Sequence, residues 1–192
     1  DTDYYNAVNG LLKISSTYNK IGKEFPNAML ALESAMQCIG SSEDPEHGCD
    51  VLNPWYAVTI VLENIETYTG EDGKAMADEV RLEILENAAY LIDVPATKVA
   101  LFAKEDGSFS YYQDRCASTS QQLPVAVDKT NEGDVNATLI CSQSIPGHIF
   151  GILGISRITY CYEAERMKFL MEMEELSTII KLEKDDERSV AK

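Results

Sequence analysis

Apolar residues in the first third of the chain recur at the three- and four-residue spacing of amphipathic helices. This spacing predicts helices over residues 4–22 and 27–39. Pro26 and Asn27 form a start signal for the second helix, and Gly40 forms an end signal. We therefore predict a helical hairpin at the start of the chain.

The next segment, residues 40–54, is rich in charged residues and in residues that favour turns. We predict a surface loop here and an internal boundary, which gives an N-terminal helical segment over 1–54 and a second domain over 55–192. The second domain begins with a helix that starts at Trp55 and ends near Gly70, and a fourth helix follows over residues 74–92.

Near residue 96 the period of the apolar pattern changes from about 3.6 to 2, which is the period of a half-buried strand. Two alternating runs flank the turn-forming sequence 105–107 (Glu-Asp-Gly), and their apolar members are Val99, Leu101, Ala103, Phe109 and Tyr111. The pattern predicts a β-hairpin.

A second hairpin is predicted from residues 135–144 and 148–159, with its turn at Pro146 and Gly147. A long acidic amphipathic helix over residues 163–182 follows almost directly. The resulting prediction is an α+β fold, in which an antiparallel sheet of about five strands over residues 97–159 is flanked by helices.

This order of elements resembles the GAF family of ligand-sensing domains. The likeness is carried by Leu139–Arg166, where Pro146-Gly147 and the run Gly151-Ile152-Leu153-Gly154 precede a helix start, and by Leu82–Tyr112 with its Asp-Gly hairpin. The resemblance implies a sensory domain joined to an output domain in a larger signalling protein. PAS-like domains and extracytoplasmic CACHE domains share the plan of helices followed by a sheet, and they stay open as alternatives.

The charge of the chain excludes two classes of partner. Acidic residues number 32 against 16 basic ones, for a formal net charge of -16. This charge repels nucleic acids and anionic membranes. The longest apolar runs are shorter than a bilayer-spanning helix, so we expect no membrane insertion by this segment.

Five widely spaced cysteines do not form the dense pattern of a disulfide scaffold. This spacing favours a reducing compartment, so the prediction is a cytoplasmic protein. The alternative is an extracytoplasmic domain of a membrane receptor.

Four residues are predicted to line a ligand pocket between the sheet and its loops: Phe109, Tyr111, Cys116 and Cys141. The alternative is that the rings fill the core, because aromatic residues at period 2 are typical of any half-buried strand. Cys116 lies next to Arg115, whose charge would favour the reactive thiolate.

Zinc-ligating residue types occur at Cys38, His47 and Cys49, but no fourth ligand stands at a standard spacing. We therefore predict no metal site, and the sequence leaves the identity of any cofactor unknown. A bilin attachment at Cys49 would lie outside the GAF-like region.

No nucleophile elbow, catalytic triad or phosphate-binding loop is present in the sequence, so we predict that the chain is not an enzyme. The predicted function is that of a regulatory domain that binds a small ligand or transmits a signal through dimer helices. One alternative is an interaction or dimerisation module without a ligand, built on residues 4–39 and 163–182. Another is a metal or redox protein.

Overall fold

The computed structural model describes residues 4–117, 119–120, 123–124, 126–127 and 129–155. The helices are α1 (Tyr4–Lys20), α2 (Ala28–Ile39), α3 (Gly48–Tyr68), α4 (Gly73–Glu86), α5 (Ala88–Ala100), α6 (Val135–Leu139) and α7 (Ile145–Ile152). A π-helical turn, Ile140–Ser144, joins α6 to α7. One antiparallel pair of two-residue strands, β1 (Thr119–Ser120) and β2 (Leu123–Pro124), completes the described elements. Apart from this short pair, the regular structure of the described residues is helical, which indicates an all-α fold, so the predicted α+β class is wrong.

Helix α3 forms the centre of the core. It contacts α1, α2, α4, α5 and α7. Its buried apolar residues lie on one broad face of the helix; they are Val51, Trp55, Ala57, Val58, Val61, Leu62 and Ile65. Tyr56, Glu63 and Thr67, on the opposite side, are exposed. The single Trp of the chain, Trp55, is 1% exposed.

The predicted helical hairpin is confirmed by α1 and α2, and a polar cluster holds the connection between them. The backbone N–H of Phe25 donates to Asn64 Oδ1 (2.7 Å), and Asn64 Nδ2 donates to Asn19 Oδ1 (2.6 Å) and to the carbonyl of Lys23 (2.9 Å). Asn64 is fully buried, so these bonds satisfy a side chain that would be costly to bury alone.

Residues 40–54 are only partly the loop that was predicted. Helix α3 begins at Gly48 and runs through Pro54, so the proline does not mark the helix start. The carboxylate of Asp50 accepts hydrogen bonds from the backbone N–H groups of Glu46 (2.9 Å) and His47 (3.1 Å). Asp50 thereby holds the chain in place as it enters the helix.

The predicted strand near residue 99 is also wrong, because α4 and α5 meet at Asn87 and α5 continues to Ala100. Phe102 is fully buried and Leu101 is 39% exposed, which is the reverse of the predicted alternation. The tight turn at 105–107 is present, with Gly107 at φ 84° and a single bridge between Ala103 and Phe109. No ladder extends from that bridge in the described residues.

The second predicted hairpin, 135–144 with 148–159, is helical as far as the structure describes it. Its buried residues Cys141, Ile145, Ile149 and Ile152 are four, four and three positions apart, which is the period of a helix. Asp134 starts this segment by accepting a hydrogen bond from the Ala137 N–H (2.7 Å). Pro146 lies in the first turn of α7, where a proline is tolerated.

The resemblance to the GAF family depended on strands in two stretches. Within the described residues, 82–112 and 139–155 contain helices and an irregular loop in place of those strands. The predicted terminal helix over 163–182, and the end of the predicted sheet over 156–159, lie outside the described residues.

Candidate functional site

Two of the predicted ligand residues, Tyr111 and Cys141, lie on either side of the start of α3. The Gly48 N–H donates to the Tyr111 carbonyl (3.0 Å), and the Tyr111 side chain lies close to the Cys49 thiol. On the other side, a Cβ added at Gly48 would lie 3.7 Å from Cys141 Sγ. The structure therefore places both residues around Gly48 and Cys49.

The other two predicted ligand residues have different partners. Phe109 packs against the core, and its backbone N–H donates to Thr138 Oγ1 (3.1 Å). Cys116 is buried, and its thiol donates to the carbonyl of Val127 (2.9 Å). The structure shows the four side chains in internal packing and hydrogen bonds, and their role in ligand binding stays a prediction.

The three candidate zinc ligands belong to two different elements. Cys38 is fully buried in α2, whereas His47 and Cys49 lie at the start of α3. His47 packs on the rings of Tyr111 (5.0 Å between centroids) and Tyr112 (6.1 Å). Among the described residues, no group of three or more His, Cys, Asp or Glu side chains could hold a metal ion.

The His47 ring and Asp50 are close but poorly aligned. His47 Nδ1 lies 3.1 Å from Asp50 Oδ1, within range for an ion pair. This nitrogen is buried without the alignment of a hydrogen bond, so the backbone bonds of Asp50 are the firmer contacts.

Burial disfavours the thiolate form of the two thiols near the start of α3. It raises the pKa of Cys141 to about 12, and it raises the pKa of Cys49 above its usual value. Because the thiolate is the form that attacks electrophiles and binds metals, both groups are weak nucleophiles and weak ligands at neutral pH.

An open apolar groove lies at the opposite end of α3. It has a volume of about 460 Å³ and is formed by residues 24–30, which lead into α2, together with Ile65, Thr69 and Met76. Met29 is 43% exposed and Leu30 is 62% exposed. The groove therefore presents two large apolar side chains to solvent.

The exposure of Met29 and Leu30 follows from the way α2 packs. Asn27, with φ 55°, turns the chain into the helix, and α2 then buries Ala31, Leu32 and Ala35 against the core. Residues 28–32 are all apolar, which is more than one buried helical stripe requires. This continuous run was the sequence signal for the groove, and the periodicity analysis missed it.

Acidic residues are abundant in the elements that border the groove. Glu24 lines it directly. Residues 66–81, at the end of α3 and in α4, include five acidic residues and two basic residues, Lys74 and Arg81. Arg81 pairs with Glu66 (2.6 Å) and Asp78 (3.2 Å). An apolar floor with acidic surroundings is complementary to a ligand that carries both apolar and cationic groups.

No family model, curated protein or solved structure matches the chain. In the part of the chain that the structure describes, no helix is both long enough and apolar enough to cross a membrane.

Proposed function

We propose that this chain is an acidic helical interaction module that binds a cationic amphipathic helix of a partner protein in the groove formed by residues 24–30, Ile65, Thr69 and Met76. The observation that carries the proposal is the exposure of Met29 and Leu30 in that groove. The interaction-module alternative of the sequence analysis was built on residues 4–39 and 163–182, and the groove shares only residues 24–30 with those segments. The binding of a helical peptide in an apolar groove is a recurrent mode of recognition.

The composition of the groove supports a peptide helix as the occupant. Methionine side chains are flexible and polarisable, so Met29 and Met76 can adapt to the apolar face of an incoming helix. A partner with lysine or arginine on its other face would be attracted by the net charge of -16. A second copy of this acidic chain would be repelled, which favours a different, basic partner at this groove.

The test uses a synthetic amphipathic helix of leucine and lysine, labelled with fluorescein, and measures its binding to the full chain by anisotropy. We expect Leu30→Asp to weaken binding by about tenfold or more, because it removes an apolar contact worth about 1.5–3 kcal/mol. The new negative charge would by itself increase the attraction to a cationic peptide. A loss of affinity therefore reports the apolar contact specifically.

The matched control is Leu139→Asp, which adds the same charge at an exposed leucine in α6. This variant should bind the peptide as well as the original chain, and a peptide with glutamate in place of lysine should not bind. Equal affinity for the original chain and for Leu30→Asp would show that binding is electrostatic and non-specific, and would overturn the proposal.

A further inference from the structure

A lysine side chain is held between three elements on another side of the molecule. Lys98 of α5 is 8% exposed, and its Nζ donates to Tyr5 Oη in α1 (2.9 Å) and to Ser41 Oγ after α2 (3.3 Å). The ammonium also lies 5.4 Å from the centre of the Tyr5 ring. Tyr5 and Ser41 are each partly exposed, so the amine lies one layer below the surface.

Both hydrogen-bond acceptors of this lysine are neutral hydroxyl groups. Within the described ranges, no carboxylate oxygen lies within ion-pair distance of Lys98 Nζ. Burial lowers the pKa of Lys98, and the nearby Cys38, Glu43 and Asp44 only partly oppose that effect. A buried amine without a close counter-ion has a larger neutral fraction than an exposed lysine, and the neutral form is the nucleophile.

The neighbouring phenol stays protonated at neutral pH. Burial raises the pKa of Tyr5 to about 12, and its hydroxyl donates to the carbonyl of Glu43 (2.7 Å) while it accepts from Lys98. A neutral amine beside a protonated hydroxyl supplies both a nucleophile and a proton donor, which are the groups that imine formation requires.

We propose that Lys98 is a carbonyl-capturing site, which forms a reversible imine with a small uncharged or cationic aldehyde or ketone. The Nζ lone pair attacks the carbonyl carbon, the C=O π bond opens, and the carbonyl oxygen takes a proton from the Tyr5 hydroxyl. The Tyr5 oxygen then takes one of the two amine protons, which restores the phenol and gives a carbinolamine. Loss of the hydroxyl group and of the remaining amine proton as water then forms the C=N bond. Glu43 and Asp44 disfavour an anionic ligand at this position.

The test treats the full chain at neutral pH with salicylaldehyde, an uncharged aromatic aldehyde, and sodium cyanoborohydride, which reduces the imine to a stable amine. Peptide mass spectrometry then measures the labelling rate of each lysine. We expect Lys98 to be labelled several-fold faster than the exposed Lys13, Lys20 and Lys74, because a lowered pKa raises the fraction of the amine that is neutral at neutral pH.

Two variants of equal charge provide the controls. Lys98→Arg keeps the cation and its donors but should lose the fast labelling, whereas Lys74→Arg should keep it. If Lys98 serves only to join the three elements, its labelling rate in the original chain will equal or fall below that of the exposed lysines, and the proposal is overturned. This rate comparison decides the question even if Lys98→Arg folds poorly.

Discussion

At the scale of single residues, buried carboxylates organise the loops that connect the helices. The Asp134 side chain accepts hydrogen bonds from the N–H groups of Tyr111 (3.1 Å), Ala117 (3.1 Å) and Ala137 (2.7 Å). It is therefore both the N-cap of α6 and the anchor of the loop 109–117. Because each of these N–H groups needs an acceptor, one side chain determines the path of a long irregular segment.

We expect Asp134→Ala to lower the free energy of unfolding by about 3 kcal/mol, because it removes a helix cap and leaves buried N–H groups without acceptors. Urea unfolding followed by the fluorescence of Trp55 would measure this loss. The control is Asp114→Ala, which removes an exposed carboxylate that pairs with the adjacent Arg115, and it should change stability by less than about 0.5 kcal/mol. Equal effects of the two substitutions would contradict the assigned role.

His148 of α7 is held in its neutral form between two residues of α3. The Thr59 hydroxyl donates to the Trp55 carbonyl (3.1 Å), so it accepts from His148 Nδ1–H at 3.0 Å. The Tyr56 ring stacks on the imidazole at a centroid distance of 4.5 Å. Burial lowers the pKa of His148 below its ordinary value of 6.5.

A lowered pKa in the folded protein means that the unfolded chain binds the proton first as the pH falls. The contribution of His148 to stability is therefore complete above about pH 6.5 and is lost as the pH falls from there toward the lower folded pKa. We expect the free energy of unfolding to be lower at pH 5.5 than at pH 7.5. His148→Asn, which keeps a donor for Thr59 but does not titrate, should reduce this difference. An unchanged difference would assign the pH dependence to other groups.

At the scale of the elements, the packing of α4 against α3 depends on a glycine. A Cβ added at Gly73 would overlap the carbonyl oxygen of Ile65, so a side chain at this position would force the two helices apart. The start of α4 can approach α3 this closely only because residue 73 is a glycine.

Gly73→Ala should lower the free energy of unfolding by about 1–3 kcal/mol, since a well-packed contact cannot accept an extra methyl group. Gly147 in α7 is the matched position, because a Cβ there meets no atom within 4 Å. Gly147→Ala should therefore leave stability unchanged or raise it by up to about 1 kcal/mol through helix propensity. Thermal unfolding of both variants would test the contrast, and a destabilised Gly147→Ala with a neutral Gly73→Ala would refute it.

The ambiguity of short apolar runs explains why the sheet was predicted where helices form. Short apolar runs such as 148–155 fit both a doubly covered strand and a buried helix, and periodicity alone does not separate the two. Asp134 as an N-cap was a local signal for the helix. The helical spacing of Cys141, Ile145 and Ile149 was a second signal, but Pro146 and Gly147 also fit the turn of a hairpin.

At the scale of the whole molecule, α3 brings together residues that are far apart in the chain. Met76 joins residues 24–30 at the groove because α2 and α4 both pack on α3. Lys98 meets Tyr5 because α1 and α5 each pack on that helix too. The contact between Lys98 and Tyr5 and the grouping of Met76 with residues 24–30 are not encoded in a local motif. A search of the sequence for motifs therefore could not find either candidate site.

The sequence by itself determined the helical hairpin of α1 and α2, the acidic charge and the turn at 105–107, because each depends on composition or on neighbouring residues. Tertiary structure alone decided the state of residues 135–155 and the places where Tyr111, Cys141 and Lys98 meet their partners. The physical reason is burial. An apolar run takes the conformation that packs on the core, and the pKa of a lysine or thiol depends on the groups that surround it.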